Sequence, residues 1–318
     1  MKRTGLVYDE RFLKHRTGSY HPEVPERLTA IMQGLRQRGL MERLAIFAAH
    51  PADRLWIELI HDKHYVDRFE AACQNGQKTF DSPDNEMCAE TFATALLAVG
   101  GVLAAVDRIV TGEWHNAFCA IRPPGHHAEK DKALGFCYFN NVAIAAAYLQ
   151  TKWLIERVAI IDIDVHHGNG TQHLFEDDPT VLYYSIHQHP SFAFPGTGRA
   201  FESGVGRGTG YTRNATVLPG QGDAFYREVV EQELEPVIAG FRPEVMILST
   251  GFDAHVDDDM SDVALSTEGY TYLIKQLVTL ADRFSDGRLL SVLEGGYNLE
   301  RLPELAANHV AVLLGDGI

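Results

Sequence analysis

Cysteine is scarce: Cys73, Cys88, Cys119 and Cys137 are the four in 318 residues, and no two form a Cys-x-x-Cys pair. Neither a disulfide framework nor a closed Cys-rich zinc site is available, and free thiols point to a reducing compartment, the cytoplasm. Basic residues are also in deficit. The 28 Lys+Arg stand against 43 Asp+Glu for a formal net charge of −15, which leaves no chain-wide footprint for nucleic acid. An acidic field can gather cationic substrates, although it serves equally as a solubilising surface. Long hydrophobic runs are missing. The most apolar stretch, Phe92 to Val106, contains Thr94 and two glycines and falls short of the roughly 20 residues of a membrane span, so it reads as a buried core helix. Asp9 interrupts the opening apolar stretch before a signal peptide's hydrophobic segment could form. Low-complexity tracts, internal repeats and Pro/Gly/Ser linkers are absent too, so residues 1–318 read as one domain.

What is present is enough apolar chain, 45% of residues, for one large core. Short continuous apolar runs, suited to strands buried on both faces, fall at Ala117–Ile121, Val158–Ile163, Val181–Ile186, Val245–Ser249 and Leu289–Leu293. Between them, helical patterns occupy 26–38, 62–74, 88–110, 138–153, 224–239, 267–284 and 303–314, the last at Pro303. The alternation predicts an α/β fold with an open, mostly parallel sheet flanked by helices.

Each strand runs into polar, ligand-type residues. Arg122-Pro123-Pro124-Gly125-His126-His127 follows the first run, and Asp162-Ile163-Asp164-Val165-His166-His167-Gly168-Asn169-Gly170 closes the second. His187 follows the third, Gly251-Phe252-Asp253-Ala254-His255 the fourth, and Glu294-Gly295-Gly296-Tyr297 the fifth. A parallel sheet delivers all these loops to one rim, where sites are built. Asp164 and His166, two apart, can point to the same side, and Asp253 supplies a third ligand. Two carboxylates and an imidazole leave positions open for water and substrate, as a catalytic zinc site requires. Fe²⁺ or Co²⁺ also suits such a set. The rigid Pro-Pro-Gly turn fixes two imidazoles as candidate base and acid, with Asp162 and Asn169 as candidate orienting partners. Tyr297, after two glycines, can donate its phenolic proton to an oxyanion.

These residues resemble the zinc-dependent histone deacetylase superfamily, which includes bacterial histone-deacetylase-like amidohydrolases and acetylpolyamine amidohydrolases. The resemblance spans nearly the whole chain. It runs from His21-Pro22-Glu23-Val24-Pro25-Glu26-Arg27 through the His126-His127 turn, Gly135-Phe136-Cys137-Tyr138-Phe139-Asn140-Asn141 and the Asp162–Gly170 segment. Pro195-Gly196-Thr197-Gly198, the Asp253 segment and Glu294-Gly295-Gly296-Tyr297-Asn298 complete it. It implies that Asp164, His166 and Asp253 bind Zn²⁺, that His127 is the chief general base and acid, and that His126 is an electrostatic helper. Asp162 is then the partner of His126, Asn169 that of His127, and Tyr297 polarises the acyl carbonyl opposite the metal. Phe136 and Phe194 wall the implied substrate tunnel, Gly135 offers its backbone to the acyl-lysine stem, and Asp81 matches a rim residue that grips substrate amides.

Two structural K⁺ sites are also implied, one at Asp162, Asp164, His166, Ser185 and Ile186, the other at Phe175, Asp178, Val181 and Tyr211. The implied activity is removal of acetyl or other short acyl groups from acyl-lysine side chains or similar amines, with no nucleic-acid or membrane partner. Homo-oligomers stay open.

The His-His-Gly-Asn-Gly and Asp-Ala-His wording resembles the class II branch, and Tyr297 argues against the weakly active members that carry His in its place. Polyamine-selective relatives of that branch place a Glu seven residues after the second metal Asp, where this chain has Met260. That weakens a polyamine-specific reading without removing it. Two rival readings fit less well: a binuclear manganese ureohydrolase, which requires Asp-x-Asp where Asp253-Ala254-His255 stands, and a non-catalytic acyl-lysine reader, which would not retain every catalytic position. Cys137 and the other histidines, His61, His15 and His309 among them, read as packed or solvated, with His187, His189 and His255 nearer the rim.

Overall fold

The computed structural model describes residues 3–316. In chain order the elements are β1 (Thr4–Val7), α1 (Glu26–Gln37), β2 (Ala45–Phe47), α2 (Arg54–Ile57), α3 (Lys63–Gln74), β3 (Thr79–Phe80), β4 (Ser82–Glu86), α4 (Thr91–Val110) and β5 (Asn116–Cys119). They continue as α5 (Asn141–Trp153), β6 (Val158–Asp162), α6 (Asn169–Phe175), β7 (Val181–Gln188), β8 (Thr212–Val217), α7 (Asp223–Val229), α8 (Glu235–Phe241), β9 (Val245–Thr250), α9 (Thr267–Phe284), β10 (Leu289–Leu293) and α10 (Leu302–Leu313). Eight strands form an all-parallel sheet in the order β2-β1-β5-β10-β9-β6-β7-β8, and β3–β4 is a separate antiparallel pair.

The five expected strands lie at the middle of this sheet. Every residue of β5, β6, β7, β9 and β10 is buried, which is why they read as unbroken apolar runs. The strands missed by the same criterion are at or near the edges. In β8 the exposed Arg213 and polar Asn214 and Thr216 break the run, and β1 and β2 are four and three residues long. Register then places the ligand-bearing ends together: Asp162 pairs with Ser249 and Ser185, and Ser249 with Val292. The loops after β6, β9 and β10 therefore leave the sheet at one level, beside one another.

Helix ends differ from expectation where side chains cap them. The helix expected from 138 begins at Asn141, because Asn140 is its N-cap and accepts from the Ala143 N–H. Residues 224–239 are not one regular α-helix: α7 and α8 are joined by a π-turn at Val230–Leu234, just ahead of Pro236, which cannot continue the α-helical hydrogen-bond ladder. Helix α4 is longer than the apolar stretch suggested, 20 residues, and is long and apolar enough to cross a membrane. Two thirds of its most apolar window is nonetheless buried, and it packs on α5, β5 and β1 as a core helix.

Candidate active site

Asp164, His166 and Asp253 meet at the carboxyl ends of β6 and β9. Their donor atoms all lie within 4.8 Å of one another, and all three residues are buried. His166 Nδ1 is 3.1 Å from Asp164 Oδ1 and 3.2 Å from Asp253 Oδ2. The surrounding backbone is shaped to the carboxylates: a Cβ at Gly251 would strike Asp164 Oδ2, and one at Gly295 would strike Asp253 Oδ2. Burial and the Asp164 charge push the Asp253 carboxyl up to about 6, while His126 and His166 hold Asp164 down against burial. Two buried carboxylates converging on an imidazole are costly without a cation between them, so the donor set and the glycine cradle both fit a divalent ion.

The paired histidines stand beside this set, ring centroids 4.0 Å apart. His126 Nδ1 donates to Asp162 Oδ2 at 3.0 Å, and the same oxygen accepts from the Tyr183 hydroxyl at 3.0 Å. His127 Nδ1 donates to Asn169 Oδ1 at 2.8 Å. Burial opposes charge on both rings, yet the Asp162 and Asp164 carboxylates hold His126 up at about 10. His127 has only an amide as partner, and burial with the adjacent His126 and His166 takes it well below the usual range. One ring is thus built to carry a proton and the other to accept one.

Tyr297 closes the opposite side. Its backbone N–H donates to Asp258 Oδ2 at 2.7 Å, its ring meets Phe136 edge-on at 6.0 Å, and Arg27 lies over its face at 4.9 Å. Burial raises the phenol well above 10, so it is a donor. Gly135 has φ +55° and packs so tightly that a Cβ would strike His127 and Phe194. The Phe194 ring is 4.9 Å from His127 and 6.5 Å from His166, which places Gly135, Phe136 and Phe194 around the approach to the site. Met260 is half-buried on the loop after Asp253, its N–H bonded to Asp258 Oδ1.

The two oxygens of Asp81 have internal partners, Oδ1 with Arg68 at 2.8 Å and Oδ2 with the Ala133 N–H at 3.0 Å, so it braces the loop on which it stands. The nearby Asp84 and Asn85 hold the tunnel backbone instead, accepting from Gly135 N and Phe136 N. Of the potassium sets, Asp162 and Ser185 are side by side across β6 and β7, and Ser185 Oγ is bonded to His187 Nδ1. In the second set the Phe175 carbonyl accepts from Asp178 N, the Tyr211 carbonyl from Tyr183 N, and the Asp178 carboxylate caps Thr180.

Several residues that build the site had no role assigned from sequence. Glu23, fully buried, receives Arg27 at 3.0 Å and Arg122 at 2.7 Å, and lies 3.3 Å from His15. Arg27 then donates to the carbonyls of Gly296 and Glu294, both at 2.6 Å, fixing the loop that carries Tyr297. Glu294 accepts from Gly125 N and His126 N and from Ser249 Oγ, tying β10 to the histidine turn. Glu23, Arg27, Arg122 and Glu294 stand inside the motifs quoted above, which was their signal; Tyr183, lone in a buried strand, gave none. His61 is no passive packing residue either, since it bridges Glu129 O and Asn140 N.

An open parallel sheet with a buried group of two carboxylates and one imidazole at its carboxyl rim defines the class as an α/β protein with a candidate metal site. A match to the histone deacetylase domain spans residues 21–313, and the chain belongs to that family of deacetylases. It is 40% identical to a probable deacetylase of Archaeoglobus fulgidus over 98% of this chain and 86% of the relative. It is 39% identical to the human polyamine deacetylase HDAC10, over 98% of this chain but 48% of that longer protein. The crystal structure of the HDA15 HD domain superposes with a TM-score of 0.93 at 35% identity, over 99% of this chain and 89% of that one.

Proposed function

We propose that this protein is a zinc-dependent amidohydrolase that removes acetyl or short acyl groups from the amines of acyl-lysine side chains. The observation that carries this is the unequal pair of histidines beside the Asp164–His166–Asp253 set, one on a carboxylate and one on an amide. A divalent ion there supplies Lewis acidity toward the acyl carbonyl and acidifies water.

The chain's own residues supply the proton transfers and the oxyanion contact. With Nδ1–H committed to Asn169, His127 keeps the Nε2 lone pair free to accept a proton. His126, on Asp162, holds positive charge beside the reacting centre, and either imidazole nitrogen can return a proton to the departing amine. The Tyr297 phenol donates to the oxygen that gains charge as the carbonyl becomes tetrahedral. Phe136 and Phe194 flank a narrow approach suited to an aliphatic stem and exclude water from it. The Gly135 N–H is used by Asp84 and its carbonyl accepts from the Cys137 thiol, which leaves the carbonyl's second lone pair for substrate. Both K⁺ sets are proposed as structural, with backbone carbonyls as the main donors, and the acidic chain is proposed to work in the cytoplasm.

A second reading, an acetylpolyamine amidohydrolase, is favoured by the human relative's name and by the chain's charge of −15. Met260 argues against it, since it offers no charge to a distal ammonium. Turnover of the metal-loaded protein on acetyl-lysine peptides, N-acetylated polyamines and longer acyl-lysines, with a chelator control, decides between them. Chelator-sensitive preference for peptides is expected, preference for polyamines shifts the assignment, and no turnover of any amide removes it.

A further inference from the structure

Beside the first candidate set stands a second convergence of ligand-type side chains from three other segments: His126 on the Pro-Pro-Gly turn, Cys137 on the tunnel loop, and Glu294 at the end of β10. One donor atom from each falls within 4.8 Å of the other two, and all three residues are buried. We propose that His126, Cys137 and Glu294 form a second, sulfur-containing site for a transition-metal dication, whose occupation inhibits the enzyme.

The donor types select the ion. Imidazole, thiolate and carboxylate together suit Zn²⁺, Co²⁺ or Cd²⁺ and are a poor match for Mg²⁺ or Ca²⁺, which take oxygen. Around a tetrahedral zinc with bonds of about 2.0–2.3 Å, neighbouring donors stand roughly 3.5 Å apart. The triad therefore has to close by about 1 Å at its widest, a side-chain adjustment rather than a loop rearrangement.

Each ligand keeps a bonding position for the ion. His126 is anchored through Nδ1 on Asp162, leaving Nε2, which faces the first site 3.9 Å from Asp164 Oδ1. Glu294 accepts three hydrogen bonds, from Gly125 N, His126 N and Ser249 Oγ, out of about four lone-pair positions. The Cys137 thiol donates to the Gly135 carbonyl at 3.2 Å and faces the His127 backbone N–H. On binding, the Cys137 S–H and His126 Nε2–H bonds break, both protons pass to solvent, and metal–sulfur and metal–nitrogen bonds take their place with no change of oxidation state.

Electrostatics allows two dications so close. Asp162, Asp164, Asp253 and Glu294 are four buried carboxyl groups, while the buried Arg27 and Arg122 both pair with Glu23. A dication bound through Nε2 and sulfur takes the place of the proton that charges His126 and of the thiol proton, so the region's net charge does not change when the second ion enters. The inhibitory consequence, unlike the site itself, rests on the amidohydrolase reading: a His126 whose Nε2 is bound to metal can neither hold nor pass a proton.

The first ligand set contains no sulfur, which makes the second site spectroscopically separate. Metal-free protein is titrated with Co²⁺ while absorbance and turnover of an acetyl-lysine peptide are followed together. The first equivalent is expected to restore turnover without a thiolate-to-cobalt charge-transfer band. The second is expected to bring that band in and lower turnover roughly tenfold or more. Cys137→Ser should abolish the band, and Cys88→Ser should keep it. Cadmium-113 NMR of the unaltered protein needs no variant and should show two resonances, one shifted as sulfur ligation requires. A band that survives Cys137→Ser, or excess metal that never produces a sulfur-shifted resonance, overturns the site. A band and resonance with no amide turnover at any loading leave the site standing and sink the amidohydrolase reading instead.

Discussion

Asp258 holds Tyr297 by its backbone: one carboxylate oxygen accepts from the N–H groups of Tyr297 at 2.7 Å and Asn298 at 3.0 Å, and the other accepts from Met260 N at 3.1 Å. The loop that begins at Asp253, in the candidate metal set, is thereby tied to the loop that carries the phenol. Asp257 doubles the tie, its carboxylate bonded to Arg301 at 2.6 Å. The phenol's place relative to the metal set follows from this buried carboxylate and from Arg27 on the other side of the ring.

Replacing Asp258 by Asn turns one acceptor into a donor facing an N–H group, and the Tyr297 loop should loosen without loss of metal ligands. We expect kcat to fall roughly 10- to 100-fold, with KM changed far less and metal content unchanged. Steady-state kinetics with metal analysis checks this; loss of metal together with activity would point to general unfolding of the rim. Tyr297→Phe, which removes the donor itself, should cost about 10²–10³ in kcat and keep both fold and metal, and unchanged turnover would sink the phenol's role.

Chelation should do more than stop turnover. The Asp164–His166–Asp253 set is assembled only in the folded chain, so bound metal adds about 4 kcal/mol of stability at a thousandfold excess over Kd. Thermal unfolding followed with and without chelator should show the metal-free protein melting lower, with Zn²⁺ restoring both the transition and activity. Identical melting curves would count against an ion at this set.

His61 gives a pH dependence with a definite sign. Its Nδ1 donates to Glu129 O and its Nε2 accepts from Asn140 N, which fixes the neutral ring, and burial lowers its pKa to about 4. Above about 6.5 the ring is neutral in both folded and unfolded chains and adds no pH dependence. As pH falls from 6.5 toward 4 the unfolded chain takes the proton first, so the folded state loses up to about 3 kcal/mol. Denaturant titrations should show this slope flattened in His61→Gln across that window, and an unaltered slope would rule the group out.

Met260→Glu would place a carboxylate where a distal ammonium could meet it. At an effective dielectric of about 20, a pair some 4 Å apart is worth a few kcal/mol before desolvation, so kcat/KM for an N-acetylated polyamine should rise about tenfold over that for an acetyl-lysine peptide. Parallel kinetics on the two substrates measures the ratio; a ratio unmoved by the substitution means Met260 does not face the substrate's far end.

Buried strands and the loops after them were legible because both signals are local. Val158–Asp162, Val245–Thr250 and Leu289–Leu293 are buried throughout and mostly apolar, and the residues that follow carry the ligand-type side chains in short, fixed spacings. The pairings of His126 with Asp162 and of His127 with Asn169 were expected and are present. Edge strands were not legible, since β8 alternates polar and apolar residues on a half-exposed surface. Helix α6 was missed because it starts at Asn169, inside a Gly-Asn-Gly stretch whose composition reads as loop. The bonds of Asp81 to Arg68 and Ala133 were not legible either, because those partners stand 13 and 52 residues away in the chain.

The sequence by itself determined the fold class, the family, the donor set of the candidate metal site and the paired histidines beside it, because strand burial and ligand chemistry depend on residue type and short spacing. Only the tertiary structure decided how these are held. Glu23 joins Arg27 to Arg122 across 95 residues of chain, Asp258 meets Tyr297 across 39, and Glu294 reaches the histidine turn across 169. The convergence of His126, Cys137 and Glu294 is of the same kind. Such contacts are set by where sheet register brings distant loops together, and a buried carboxylate's choice among several N–H groups depends on that proximity, which residue type and local spacing do not encode.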